Sequence, residues 1–247
     1  MDRFFVQKQN INLETNTCII EGEDVKHISK VLRCKIGEEL EICDNDNNEY
    51  ICEITDIDKS FVSLNILEKV DIKRESGLKI KVYQGLPKGP KMEMILQKLT
   101  EVGVHEIVLV QTKRSVSKVD DKKEDKKLER WERIIYEAAK QSKRGIIPRV
   151  NDVCTFNQAI DMAKELDMII MPYEEADDME KTRNIIRGLK KDTSVGIFIG
   201  PEGGFAKEEV NAVMEENGTP ITLGKRILRT ETAGMAIMSV IMFMMEE

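Results

Sequence analysis

The sequence predicts an α/β protein in two parts, a small β-rich module followed by a larger domain of alternating strands and helices. Three observations carry this. At 247 residues the chain is longer than the roughly 100–200 residues of one ordinary domain. Its first third holds short β-branched runs separated by turn clusters, and from residue 79 onward strand-like and helical patterns alternate. Between the two lies DIKRESGL (71–78), polar with one Gly, the best linker in the chain. The expected domains are therefore 1–72 and 73–247.

In the first part the strand-like runs are 17–20, 39–44, 49–55 and 61–67, punctuated by DNDNN (44–48) and DIDKS (56–60). Between the first two, EDVKHISKVLR (23–33) sets Val25, Ile28, Val31 and Leu32 on one helical face. Several short strands with one helix suggest a small barrel, a shape often used to bind oligonucleotides. In the second part the strands are expected at 79–86, 106–112, 168–173, 194–200 and 220–224. The helices fall near 89–102, 124–143, 156–166, 178–190, 206–217 and 231–245. Such alternation argues for a mostly parallel sheet covered on both faces.

With 41% apolar and 34% charged residues, the composition excludes disorder, collagen and a disulfide mini-protein. No run approaches the roughly 18 apolar residues of a membrane helix, and MDRFFVQKQNINLE lacks the apolar region of a signal peptide. Five cysteines (18, 34, 43, 52, 154) form no CxxC pair, and only His27 and His105 could join them, so no metal is expected. Small buried apolar thiols in a reducing cytoplasm account for them.

The net charge of −7 is segregated. Residues 1–78 carry −7, residues 79–149 carry +8 and residues 150–247 carry −8. A basic middle suits a polyanion. A solvated helix suits it equally, because residues 118–133 alternate in sign.

Ligands of such sheets bind beyond the carboxyl ends of the strands, and three strand ends here are unusual. Gly200, Pro201, Glu202, Gly203 and Gly204 follow the run at 194–200; a tight strand-to-helix turn would use the same glycines. The stretch is neither GxGxxG nor GxxxxGK[ST]. LGKRILRTETAGM (223–235) crowds Lys225, Arg226 and Arg229 before a helix start, with Thr230 as N-cap and Glu231 in the first turn. Three cations there oppose the helix dipole unless an anion or a polarised carbonyl oxygen joins them. MPYEEADD (171–178) ends a third strand. The last helix, Ala233 to Met245, is apolar nearly all round and too short for a bilayer, so it is buried in the core or against a second subunit.

IGPEGGF (199–205) and LGKRILRTETA (223–233) together resemble the signature of the RsmE family of SPOUT-class ribosomal RNA methyltransferases. HISKVLR (27–33), LPKGPKMEMILQKLTEVGV (86–104), TKRSVSK (112–118), EAAKQSKRGIIP (137–148) and MPYEEA (171–176) support it, with TEVGV where the family more usually has ELGV. The resemblance implies a PUA-like N-terminal barrel and a SPOUT-type α/β domain with a C-terminal trefoil knot. It further implies S-adenosylmethionine in that knot, methylation of uridine N3 in small-subunit rRNA, and a homodimer.

On this reading the cofactor contacts are Met171, Pro172, Gly200, Pro201, Glu202, Gly203, Gly204, Leu223, Gly224, Ile227, Leu228 and Thr230. Arg229 would stabilise charge on the uracil oxygens, and Glu231 would take the N3 proton, with Glu202 as the rival base. Arg3, Arg33, Lys88, Lys91, Arg114, Lys143 and Arg144 are the expected phosphate contacts. Three other functions would use the same fold: ribose 2′-O methylation, non-catalytic RNA binding in ribosome assembly, and a metabolic enzyme with a phosphate on its glycine loop.

Overall fold

The computed structural model describes residues 1–71, 74–115 and 124–245. The chain divides into two compact units, Met1–Glu75 with Ala139–Ile147, and Ser76–Ala138 with Pro148–Glu247. The expected boundary at 72/73 lies outside the described residues, as does 116–118 of the TKRSVSK stretch.

The first unit is a six-stranded sheet of β1 (Arg3–Phe5), β2 (Ile11–Asn12), β3 (Thr17–Glu21), β4 (Glu39–Cys43), β5 (Glu49–Ile57) and β6 (Phe61–Val70). They run in the order β1-β4-β5-β6-β3-β2. Only β1 with β4 pairs parallel. Alternate side chains of these strands, among them Phe4, Ile20, Leu40, Ile42, Ile54 and Leu64, meet in one buried core. The helix expected over 23–33 is split. α1 covers Glu23–Lys26 and a π-helical turn covers His27–Leu32, ending at Arg33 with φ +57°. The wider turn moves positions off the expected face: Val25 and Ile28 stay buried, while Val31 is 68% exposed.

Residues 139–147 belong with this unit, although their position in the sequence put them in the second domain. Arg3 Nη1 donates to the Arg144 carbonyl at 2.6 Å, and the Glu75 carboxylate accepts from the Gly145 and Ile146 N–H groups. The Asn47 N–H donates to the Gly145 carbonyl, and Lys140 Nζ lies 4.2 Å from the centre of the Phe4 ring.

The second unit is an all-parallel seven-stranded sheet. It contains β7 (Lys79–Gly85), β8 (Glu106–Gln111), β9 (Arg149–Val150), β10 (Cys154–Thr155), β11 (Met168–Pro172), β12 (Ser194–Ile199) and β13 (Thr219–Ile221). Its order is β10-β8-β7-β12-β11-β13, with β9 also against β8. The helices are α2 (Lys91–Glu101), α3 (Glu124–Gln141), α4 (Phe156–Ala163), α5 (Met179–Arg187), α6 (Lys207–Glu215) and α7 (Thr230–Met245). Local chemistry sets several starts. Thr155 and Gln158 form a reciprocal capping box on α4, and the Asp178 side chain accepts from the Lys181 N–H on α5. In the core Tyr83 stacks on Phe198 with ring centres 4.5 Å apart.

The run expected as a strand over 220–224 stops at Ile221, because Thr222 turns away, its Oγ1 accepting from the Gly224 N–H. From β13 at the sheet edge the chain returns through 222–229 to α7, which packs against α2, α5 and β12. No helix among the described residues is long and apolar enough to cross a membrane, and among them no three His, Cys, Asp or Glu side chains cluster as a metal site.

Candidate active site

The segments after β11, β12 and β13 leave the carboxyl ends of these neighbouring parallel strands and line a cavity of about 390 Å³. That size is within the range of small-ligand sites. Pro172 enters from the first loop, with Tyr173 and Glu174. Gly200, Pro201, Glu202 and Gly204 enter from the second, with Phe205, and Leu223, Gly224, Ile227, Leu228, Arg229 and Thr230 from the third. Gly204 at φ +64° and Gly224 at φ +110° occupy left-handed backbone that side chains disfavour, and so let the loops fold back over the cavity.

Two expected contacts are not on the wall. Met171 is fully buried within β11, its side chain part of the sheet's core. Gly203 turns away beneath Arg114, whose Nη1 donates to the Gly203 carbonyl at 2.9 Å. Thr230 does not act as N-cap. It is the first residue of α7, and its hydroxyl donates to the Gly200 carbonyl at 2.6 Å, joining the second and third loops.

The expected catalytic groups divide. Arg229 is exposed at the rim and, like Lys225 and Arg226, has no ion pair or side-chain hydrogen bond among the described residues. Glu202 faces the cavity, its carboxylate accepting from the Lys88 N–H and lying 2.9 Å from Lys91 Nζ. Burial pushes the Glu202 carboxyl up, but Lys91 and the backbone donors outweigh it and hold it below its ordinary value. Hydrogen bonding to Glu202 raises the Lys91 ammonium in turn. Glu231 does not line the cavity. Its Oε2 forms an ion pair with Lys91 Nζ at 3.5 Å, too long for a well-made hydrogen bond, and this buried oxygen has no hydrogen-bond partner among the described residues.

Of the expected phosphate contacts, Arg33, Lys88 and Arg114 are exposed. Lys143 is part-exposed and paired with Glu41 at 2.6 Å, and Lys91 is held between two carboxylates. Arg3 and Arg144 depart from the expectation. Each is 5% exposed or less, Arg3 paired with Glu41 and Glu49 and Arg144 with Glu75, so neither presents its charge to a ligand. Sequence reasoning missed Gly85, where a Cβ would stand 2.7 Å from Pro201 Cδ, and Gln84 beside it. The only signal for either was a Gln-Gly pair closing a strand in which lysines and apolar residues alternate.

Residues 74–242 match the RNA methyltransferase domain, and residues 20–67 match the RNA methyltransferase PUA domain. Ribosomal RNA small subunit methyltransferase E from Bacillus subtilis is 41% identical, over all of this chain and 98% of its own. The chain belongs to that family. The Mesomycoplasma hyopneumoniae member is 31% identical over 97% of this chain and 98% of its own. The crystal structure of the Neisseria gonorrhoeae member, bound to S-adenosyl methionine, superposes with a TM-score of 0.84 at 29% identity, covering 98% of this chain and 97% of that one. Family membership accounts for the PUA-like first unit and the α/β second unit.

The cavity suits such a cofactor on its own chemistry. Pro201, Phe205, Ile227 and Leu228 offer apolar walls, the glycines leave backbone exposed, and Glu174 and Glu202 face a sulfonium with negative charge.

Proposed function

We propose that this protein is an S-adenosylmethionine-dependent methyltransferase acting on N3 of a uridine in small-subunit ribosomal RNA, in the cytoplasm. The observation that carries this is the cavity built by three loops at the carboxyl ends of adjacent parallel strands, in a chain of the methyltransferase E family. When bound there, S-adenosylmethionine supplies an electrophilic methyl group. The rest falls to the chain's own residues. The loops fix the line of approach, which is the largest contribution expected for a displacement. Arg229, at the rim and without an ion pair among the described residues, binds the uracil carbonyl oxygens as charge spreads onto them. Lys225 and Arg226 beside it hold the RNA backbone.

Glu231 takes the N3 proton. Its Oε2, ion-paired with Lys91 at 3.5 Å but without a hydrogen bond among the described residues, is the less satisfied of the two carboxylates, and a donor N–H arriving there offsets that deficit. Glu202, held ionised by Lys91, orients the lysine. Glu231→Gln is expected to lower kcat about a hundredfold, the usual lower range for a general base, and Glu202→Gln less than tenfold. Equal kcat for Glu231→Gln and the parent removes Glu231 from the mechanism.

The return of the chain from β13 across β11 and β12 to α7 supports a trefoil knot, in which 222–229 passes through a loop of backbone. A homodimer is supported by α7, whose Val240, Phe243 and Met244 are 48%, 82% and 51% exposed, an apolar stripe unusual on a solvated surface. The function is tested by incubating the protein with methyl-labelled S-adenosylmethionine and small ribosomal subunits lacking the modification. Label in the RNA supports the reading; no label, with cofactor binding intact, contradicts it.

A further inference from the structure

Gln84 is fully buried at the end of β7, between β8 and β12. Its Nε2 donates to the Gly85 carbonyl and to Thr230 Oγ1, each at 2.9 Å. The opposite amide orientation would set Oε1 against the Gly85 carbonyl oxygen, acceptor to acceptor, so the donor assignment is fixed by chemistry. With Thr230 Oγ1 already accepting, its one hydrogen is free for the Gly200 carbonyl, 2.6 Å away. The relay thus runs from amide to hydroxyl to carbonyl.

Gln84 Oε1 has no hydrogen-bond partner among the described residues. A buried amide oxygen left unpaired destabilises the fold, and an apolar side chain of the same length would avoid that deficit. Packing alone therefore gives no reason for Gln here. Its neighbour does. The Gly200 carbonyl belongs to the peptide that joins Gly200 to Pro201, so locking that oxygen sets the plane of the Pro201 ring. Pro201 forms a cavity wall, and at its back it meets Gly85, where a Cβ would be 2.7 Å from its Cδ.

We propose that Gln84 is a positioning residue for the cofactor, acting through Thr230 on the Gly200–Pro201 peptide. This rests on the reading that the cavity takes S-adenosylmethionine. The test is calorimetric titration of the full chain with S-adenosylmethionine, comparing the parent, Gln84→Met, Thr230→Val and the double variant. Each single change is expected to weaken binding about tenfold. The double variant binds no more than twofold more weakly than the weaker single, because one relay has been cut twice. In the ligand-free chain, hydrogen exchange of Gln84→Met quickens at residues 199–205 and not in β4 or β5.

No binding by the parent refutes the cofactor reading itself. Parent binding with affinities of both singles within twofold, costs that add in the double variant, or exchange quickened equally in β4 and β5 overturns the role of Gln84. If Gln84→Met does not fold, Thr230→Val decides: unchanged affinity overturns the relay, and a loss with quickened exchange confined to 199–205 supports it.

Discussion

Arg3 and Arg229 carry the same charge and end in opposite surroundings, and the difference decides what each can do. Arg3 is buried against Glu41 and Glu49 and donates to the Arg144 carbonyl; removing Arg3 would leave buried carboxylate charge without its cation. Arg229 stands at the cavity rim with no partner among the described residues. Composition shows two arginines and cannot separate them, because pairing partners lie tens of residues away in sequence. Glu41 makes the buried network measurable. Burial pushes its carboxyl up, but Lys143 and Arg3 outweigh this and hold it below its ordinary 4.5. The unfolded chain therefore takes up this proton first as pH falls. The contribution is complete above about 4.5 and is lost as pH drops below that through the lowered folded value. Urea unfolding of Glu41→Gln should show a shallower loss of stability below pH 5 than the parent; an identical slope would contradict the pairing. At Gly85 the constraint is space. Gly85→Ala must displace Pro201, at about 1–3 kcal/mol of stability, and should weaken S-adenosylmethionine binding at least tenfold by calorimetry.

Among the elements, those with strong periodicity were legible from residues alone: β7, β8, β11, β12 and the helices α2 to α7 fall within a few residues of expectation. The strands that escaped, β1, β2, β9 and β10, have two or three residues each, too few for a period to register. The helix over 23–33 failed differently, since its apolar spacing fits an α-helix and the π-turn that exposes Val31 is set by packing on the sheet. The site was legible through its loops, where glycines and clustered cations stood at strand ends. Its tie to α7 was not, because Thr230 satisfies the local signature of an N-cap and yet bonds Gly200. α7 itself carries a prediction. With Phe243 82% exposed, Phe243→Glu should leave the folded subunit intact while splitting the homodimer, read as a halved mass by light scattering. A parent of monomer mass would contradict the interface.

For the molecule as a whole, an acidic chain acting on RNA is less paradoxical once charges are paired. Arg3, Lys91, Lys140, Lys143 and Arg144 of the basic stretch and barrel are each held by carboxylates, while Lys225, Arg226 and Arg229, in the acidic C-terminal third, stand around the cavity with no ion pair among the described residues. Net charge by segment thus hides that three cations of an acidic segment stand around the cavity beside Lys91 of the basic one. Everything assigned to Arg229 and Glu231 depends on which atom of the RNA is methylated. The most direct measurement is nuclease digestion of small-subunit RNA after transfer from labelled S-adenosylmethionine, with the modified nucleoside identified by mass and chromatography. The account predicts N3-methyluridine, one per subunit. A ribose 2′-O-methylated nucleoside would keep the fold and contradict the mechanism built on Arg229 and Glu231.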